Sequence, residues 1–247
     1  MALCAAPWNG FEAMDTASTP GAAIVAVASE AREFAGLQTR MDGIEPLAWD
    51  LDFAVAGNVG GRRWVLCANG PGPRLAGLAI DAALRHERPA AILSTGFCGG
   101  LDPALEPCAV FVASRILDEP TGDRYETAHE SGGTLISGDR VVNTLPEKAA
   151  LRQTTGAGAV DMEAAAVARA ASTAGVPLYC IRVVTDTAME TFPMDFNAVR
   201  DGEGRFSRAR IAAAAMAHPG RIRGLIELDR RTKKAAEALG DYLARSF

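Results

Sequence analysis

The sequence predicts an α/β protein: one domain in three layers, with helices on both faces of a central twisted sheet that is mixed and mostly parallel. Three observations carry the prediction. Short apolar, β-rich runs alternate with longer alanine-rich amphipathic runs, the pattern of a sheet covered on both sides. Those apolar runs barely alternate with polar residues, which suits central strands buried on both faces. No repeat, low-complexity linker or composition break interrupts the chain between Gly21 and Leu243.

Taken in order, strands are expected at residues 22–28 (AAIVAVA), 62–69 (RRWVLCAN), 90–96 (AAILSTG), 109–117 (AVFVASRIL) and 177–185 (PLYCIRVVT). Each is a short run rich in residues that favour a pleated, buried surface. A helix is expected at 30–40 (EAREFAGLQTR), where Glu30 and Glu33 suit an amphipathic helix start. Gly70 and Gly72 allow a sharp turn into a second helix at 73–87 (PRLAGLAIDAALRHE). The acids Asp161 and Glu163 favour the amino end of a third at 163–175 (EAAAVARAASTAG), and the tail from Ser207 reads as helix. Residues 1–20 lack a basic n-region and read as a loose extension ahead of a domain spanning 21–247.

The bulk numbers exclude some function classes. A chain of 247 residues with 49% apolar and 22% charged residues is an ordinary soluble composition. The net charge of −5 argues against a nucleic-acid partner, which would call for a basic excess. No apolar run approaches the roughly 20 residues of a membrane helix, and without an export signal the cytoplasm is the expected compartment. The five cysteines are odd in number and contain no C-x-x-C, so neither a disulfide framework nor a metal site is indicated. Cys67 and Cys180 sit in apolar runs and read as buried small hydrophobes. His129, in the polar stretch YETAHE, reads as a solvated loop histidine.

Several clusters could carry chemistry. NGPGPRLAGLAI, at Asn69–Ile80, follows a strand and opens a helix, but Pro71 and Pro73 remove backbone donors and the third glycine of a dinucleotide fingerprint is missing. STGFCGGLDPAL places Gly96, Gly99 and Gly100 after a strand, where bare backbone can read the edge of a flat heterocycle. In AVDMEAAAVA, Asp161 and Glu163 flank Met162. They are either helix-start acids or a carboxylate for two vicinal hydroxyls beside an apolar wall. RVVTDTA ends a hydrophobic strand on Asp186, which is either a solvated turn residue or an acid of raised pKa able to protonate a leaving group.

With these motifs in this order, the chain resembles the nucleoside phosphorylase and nucleosidase superfamily, which includes purine nucleoside phosphorylases and methylthioadenosine/adenosylhomocysteine nucleosidases. AAIVAVASEAREF is similar to the family's first strand and acid, NGPGPRLA to its glycine turn, and STGFCGG to its T-G-x-x-G-G loop. SGDRVV, AVDMEAAAVA and RVVTDTA resemble its S-G-D element, V-E-M-E-A helix start and R-x-x-S-D-x-A strand end. The tail from Pro193 also resembles hopanoid-associated phosphorylases. The resemblance implies cleavage of the ribosyl N-glycosidic bond of a purine nucleoside, a 5′-substituted adenosine in the first instance, by a homo-oligomer without a cofactor. Asp186 would be the general acid, Glu163 with Met162 the ribose site, and Glu30, with Glu33 as second choice, the water-activating acid. Water is favoured as nucleophile because Leu93-Ser94-Thr95 lacks the arginine of many phosphorylases. Phosphate as co-substrate is the alternative, with Arg32 and Arg74 to hold it, and a non-catalytic nucleoside-binding protein is the other. Three departures bear on the substrate: Phe97 replaces a serine, Val141 an aromatic and Asp161 a glutamate. Phe97, Gly99, Val141 and Asp161 join the expected substrate-binding set, and the departures favour an apolar 5′ group.

Overall fold

The computed structural model describes residues 22–217 and 220–247, so the extension expected at 1–20, Cys4 and His218 lie outside the described residues. The first half runs β1 (Ile24–Ala28), a 3-10 turn (Ala31–Phe34) leading into α1 (Ala35–Gln38), β2 (Asp42–Pro46), β3 (Phe53–Val59), β4 (Arg62–Ala68), α2 (Pro73–His86) and β5 (Ala91–Gly100). The second half runs β6 (Val110–Asp118), β7 (Arg124–Glu126), β8 (Gly133–Ser137), α3 (Leu145–Thr155), β9 (Ala159–Asp161), α4 (Ala164–Ala174), β10 (Leu178–Asp186), α5 (Arg208–Ala217) and α6 (Gly220–Ser246). All five expected strands form. Five more strands and α3 come from stretches whose apolar pattern is too short to announce them.

One sheet takes in every strand. Its centre, β4-β1-β5-β10, is parallel. Five of its ten pairings are antiparallel, but the parallel ones run over more residues, so the sheet is mixed and mostly parallel, as the sequence predicts. Connection length sets the antiparallel pairs. β3 and β4 are joined only by Gly60 and Gly61, both with positive φ, and a two-residue link can return a strand only antiparallel. β5 is the branch point of the sheet. On one edge it pairs with β1 over Ala91–Ser94 and then with β9 at Gly99–Gly100, while its other edge follows β10. Because β10 continues through β6 and β8 to β9, the strands β5-β10-β6-β8-β9 close into a ring.

Side-chain alternation along β1 sets the layers. Val25 and Val27 face a core with Ala76, Ile80 and Ala83 of α2 and Ala164, Val167 and Ala171 of α4. Ile24, Ala26 and Ala28 face the opposite core with Phe34, Leu37, and Ala235, Leu239 and Leu243 of α6. Each leucine or valine so buried stabilises the fold by about 1.5–3 kcal/mol. Cys67 and Cys180 are buried as expected. The helix expected at 30–40 is instead a 3-10 turn and a single α turn. There the Glu33 side chain folds back to accept from Ser29 N, and Gly36 lies against α6. A Cβ on Gly36 would fall 2.3 Å from Ala236 O, and one on Gly240 would fall 2.1 Å from the Gly36 carbonyl carbon. The two backbones touch because neither residue has a side chain. No helix among the described residues is long and apolar enough to cross a membrane.

Candidate active site

Where β5 exchanges β1 for β9, its two neighbours separate, and ligands in open α/β sheets gather at such carboxyl-end crevices. The gap is a cavity of about 460 Å³. Ser29 and Glu30 reach it from the end of β1, Phe97–Gly99 from β5, Asp161–Glu163 from β9, and Thr185–Asp186 from β10. The residues singled out from sequence, Glu30, Glu33, Phe97, Gly99, Val141, Asp161, Met162, Glu163 and Asp186, therefore all line one cavity.

Asp186 reaches it through a β-bulge. The β5–β10 register steps from Val184↔Cys98 to Asp186↔Gly99, leaving Thr185 unpaired and re-aiming the acid. A Cβ at position 99 would lie 3.1 Å from Asp186 Oδ2, so Gly99 leaves room for the carboxyl group. Thr185 Oγ1 donates to Oδ1 at 2.9 Å, and Lys148 Nζ donates to Oδ2 at 2.6 Å. Burial pushes the Asp186 pKa up, against the opposing pull of Lys148 and Thr185. Asp186 is thus no solvated turn residue. Arg182, the neighbour that could have opposed its protonation, does not touch it. That guanidinium donates through Nε to Asp161 Oδ2 at 3.0 Å and through Nη2 to Ser94 Oγ at 2.8 Å.

Asp161 and Glu163 divide the two roles between which the sequence left them. Asp161 caps α4, accepting from Ala164 N at 3.0 Å, and pairs with buried Arg182. Burial works against the charge on Arg182, but Asp161, Cys180 and Glu163 together more than offset it and hold the guanidinium above the ordinary arginine range. Glu163 sits at the helix start yet makes no side-chain cap. Its Oε1 instead accepts from Gly72 N at 2.7 Å and its Oε2 from Met162 N at 3.3 Å. The glycine turn after β4 thus gives its amide to this carboxylate. Burial and the neighbouring Asp161 push Glu163 up to about 7, with Arg182 and the two amides opposing. Met162 is buried beside it in the cavity wall.

Of the two acids after β1, Glu33 is buried and Glu30 is on the rim. Glu33 Oε2 accepts from Ser29 N at 2.9 Å. A Cβ on Gly96 would fall 2.5 Å from that oxygen, and Gly96 has φ of +123°, so the threonine-glycine loop admits only glycine there. Burial, then Glu163 and Glu30, push the Glu33 pKa to about 8. Glu30 is 36% exposed and pairs with Arg32 at 2.6 Å.

The facing wall is apolar. Val141 exchanges two hydrogen bonds with the Asn197 amide, which ties the SGDRVV loop to the segment carrying Phe192, Phe196 and Phe206. Those rings pack edge to face, with centroids 5.2 and 5.8 Å apart. Leu225 and Leu228 of α6 complete the wall. Phe97 enters from β5 with the Arg32 guanidinium 6.0 Å from its ring centroid. Two expectations are corrected. Arg74 lies outside the cavity and donates to Glu203 O, because its place on α2 points it along the surface. His129 is not solvated but buried edge-on against Tyr179, and burial lowers its pKa to about 4. Lys148 and the phenylalanine wall went unrecognised in the sequence.

A partly closed mixed sheet that brings buried carboxylates to its strand ends, opposite an apolar wall, defines an α/β protein with a small-molecule site at a topological switch point. The chain belongs to the phosphorylase superfamily, whose sequence profile matches residues 22–132 and 119–217. Solved structures share its fold. A 5′-methylthioadenosine/S-adenosylhomocysteine nucleosidase from Neisseria meningitidis, in complex with methylthio-immucillin-A, is 21% identical, covering 91% of this chain and 97% of its own, with a TM-score of 0.70. An S-adenosylhomocysteine nucleosidase from Streptococcus pyogenes is 18% identical over 93% of this chain and 97% of its own, with a TM-score of 0.71. A futalosine hydrolase mutant from Helicobacter pylori is 16% identical over 91% and 98%, with a TM-score of 0.70.

Proposed function

We propose that this chain cleaves the ribosyl N-glycosidic bond of a purine nucleoside, a 5′-substituted adenosine, with water as nucleophile. The observation that carries the reading is the convergence of Asp186, Glu163 and Glu33 on one cavity, each buried and each with its pKa raised. Asp186 gives its proton to N7 of the departing base, which leaves as a neutral purine when the C1′–N9 bond breaks. Glu163 accepts from the 2′- and 3′-hydroxyls, bonds that strengthen as positive charge grows on the sugar, with Met162 against the ring. Glu33, in place of the first-choice Glu30, takes a proton from the water that adds to C1′. Burial raises the proton affinity of Glu33 inside the cavity, whereas Glu30 sits on the rim, engaged by Arg32.

The apolar wall supports an apolar 5′ group, and a hopanoid-bearing adenosine is the extreme case that the tail resemblance favours. The chain is further read as a homo-oligomer without a resident cofactor, on the family resemblance, and as a cytoplasmic protein. A phosphorylase is the second reading, supported by Arg32 on the cavity lining. Incubating adenosine, 5′-methylthioadenosine and 5′-alkyl adenosines with and without phosphate decides between them. Free ribose products without phosphate support hydrolysis, and strictly phosphate-dependent ribose 1-phosphate formation overturns it. No base release from any of them leaves only a nucleoside-binding protein.

A further inference from the structure

We infer that Lys148 is a positioning residue for bond cleavage, holding the Asp186 carboxyl group in place and governing how readily it parts with its proton. The inference rests on the reading of Asp186 as the general acid. Lys148 belongs to none of the motifs that carry the family resemblance. It is 1% exposed, whereas lysines are almost never fully buried unless paired. Its helix is fixed just ahead of it by a capping box, in which Thr144 N donates to Glu147 Oε2 at 3.0 Å.

The ammonium has three donors and all are engaged: Asp186 Oδ2 at 2.6 Å, Thr187 O at 2.6 Å and Glu190 O at 3.0 Å. No N–H remains for a substrate, so Lys148 acts through Asp186. The Phe192 ring, 5.6 Å from Nζ, forms part of its surroundings. The other charged groups nearby are occupied. The Glu190 carboxylate takes Arg231 of α6 at 2.7 Å and Thr187 N at 2.8 Å, and Arg231 also donates to Thr185 O. Arg182 is held by Asp161, Glu147 by Arg140, and Arg152 by Asp102. Cys98, from β5, is a buried thiol whose pKa burial holds well above its ordinary value. Lys148 is therefore the one cation in contact with the acid among the described residues.

The two influences on Asp186 oppose each other. Burial favours the protonated carboxyl group and Lys148 favours the carboxylate. A general acid works best with a pKa near the working pH, and Lys148, in contact with Oδ2, pulls against the rise that burial causes.

The test compares kcat–pH profiles of the native protein, Lys148→Met and Lys148→Arg on a purine nucleoside and on 4-nitrophenyl riboside, whose leaving group needs no proton. With the cation gone, the Asp186 pKa climbs further. The alkaline limb for the purine nucleoside should move up by about one pH unit or more, with kcat down about tenfold. Nitrophenyl turnover should change little, and arginine should restore the limb. An unmoved limb, or equal losses on both substrates, would show a merely structural lysine and overturn the inference. Absence of base release from the native protein would instead overturn the proposed function. If Lys148→Met does not fold, ¹⁵N NMR of the native protein answers the same question. A charged, exchange-protected ammonium that responds to the Asp186 titration is expected, and a neutral or unresponsive amine refutes the inference.

Discussion

The two walls of the cavity are built from different material. On one side Glu33, Asp161, Glu163 and Asp186 stand at or just beyond the ends of sheet strands, each held by at least two hydrogen bonds and each buried. On the other, Phe192, Phe196 and Phe206 hang on a segment whose only regular pieces are a 3-10 turn at Asn197–Val199 and a bridge between Arg200 and Phe206. The carboxylates are placed by the sheet and the rings mostly by one another. Chemistry needs fixed distances, which a sheet supplies, whereas an apolar wall needs only shape and can be carried by loops. The comparison implies that damage to one wall abolishes turnover and damage to the other changes what is turned over.

Asp186→Asn should give the largest effect, a loss of at least about a hundredfold in kcat on purine nucleosides with far less on an activated leaving group. It also leaves the buried Lys148 ammonium without an anionic partner, so a stability cost of about 3–5 kcal/mol should accompany it. Chemical denaturation alongside the kinetics separates the two, and near-normal purine turnover would remove Asp186 from the chemistry. Glu33→Gln should cost about a hundredfold as well, with Glu30→Gln within a few fold of native. The reverse ranking would restore Glu30 as the base. Glu33 also carries a signature in stability. Its folded pKa of about 8 lies above the ordinary 4.5, so the native state loses stability as pH climbs from about 4.5 to about 8. Glu33→Gln should therefore be more stable than native at pH 8 while less active, and unchanged alkaline stability in thermal melts would contradict a buried acid.

Glu163→Gln should cost about tenfold to a hundredfold, mostly in kcat, because the amide keeps the shape without the charge that the cationic sugar needs. Substrates without the 2′-hydroxyl should start slower and lose less. A change confined to KM would mark Glu163 as a ground-state contact only. The smallest effect belongs to the apolar wall. Phe196→Ala should raise KM for 5′-alkyl adenosines by about tenfold, the worth of 1–2 kcal/mol of lost apolar contact, and leave kcat on adenosine almost unchanged. If adenosine suffers equally, the two walls are not separable.

The same division decides what could be read from the sequence. The strand-end wall was legible because each acid sits at a fixed distance from a hydrophobic run, as Asp186 does behind RVV and Glu163 before AAAVA. Glycines marked it too, since Gly72, Gly96 and Gly99 each stand where the backbone approaches a carboxylate. The choice between Glu30 and Glu33 was not legible. It depends on whether the chain after β1 makes an α-helix or a 3-10 turn, which sequence periodicity does not resolve over four residues. Phe192, Phe196 and Phe206 follow no strand or helix period, so nothing in their spacing says they share a wall. Lys148 is the instructive miss. A Thr144–Glu147 capping box opens its helix, but the apolar pattern announces no helix there, and nothing in LPEKAAL sets this lysine apart from a solvated one until the fold places Asp186 against it.

The contact between Gly36 and Gly240 has a mechanical meaning. At 1.5 Å per residue, Leu228 lies about 18 Å along α6 from Gly240, so one helix carries both the bare-backbone contact and part of the cavity wall. Between the two, Arg231 ties α6 to Thr185 and Glu190. A methyl group at either glycine would meet backbone that cannot give way, and its cost would fall on how α6 lies against the sheet.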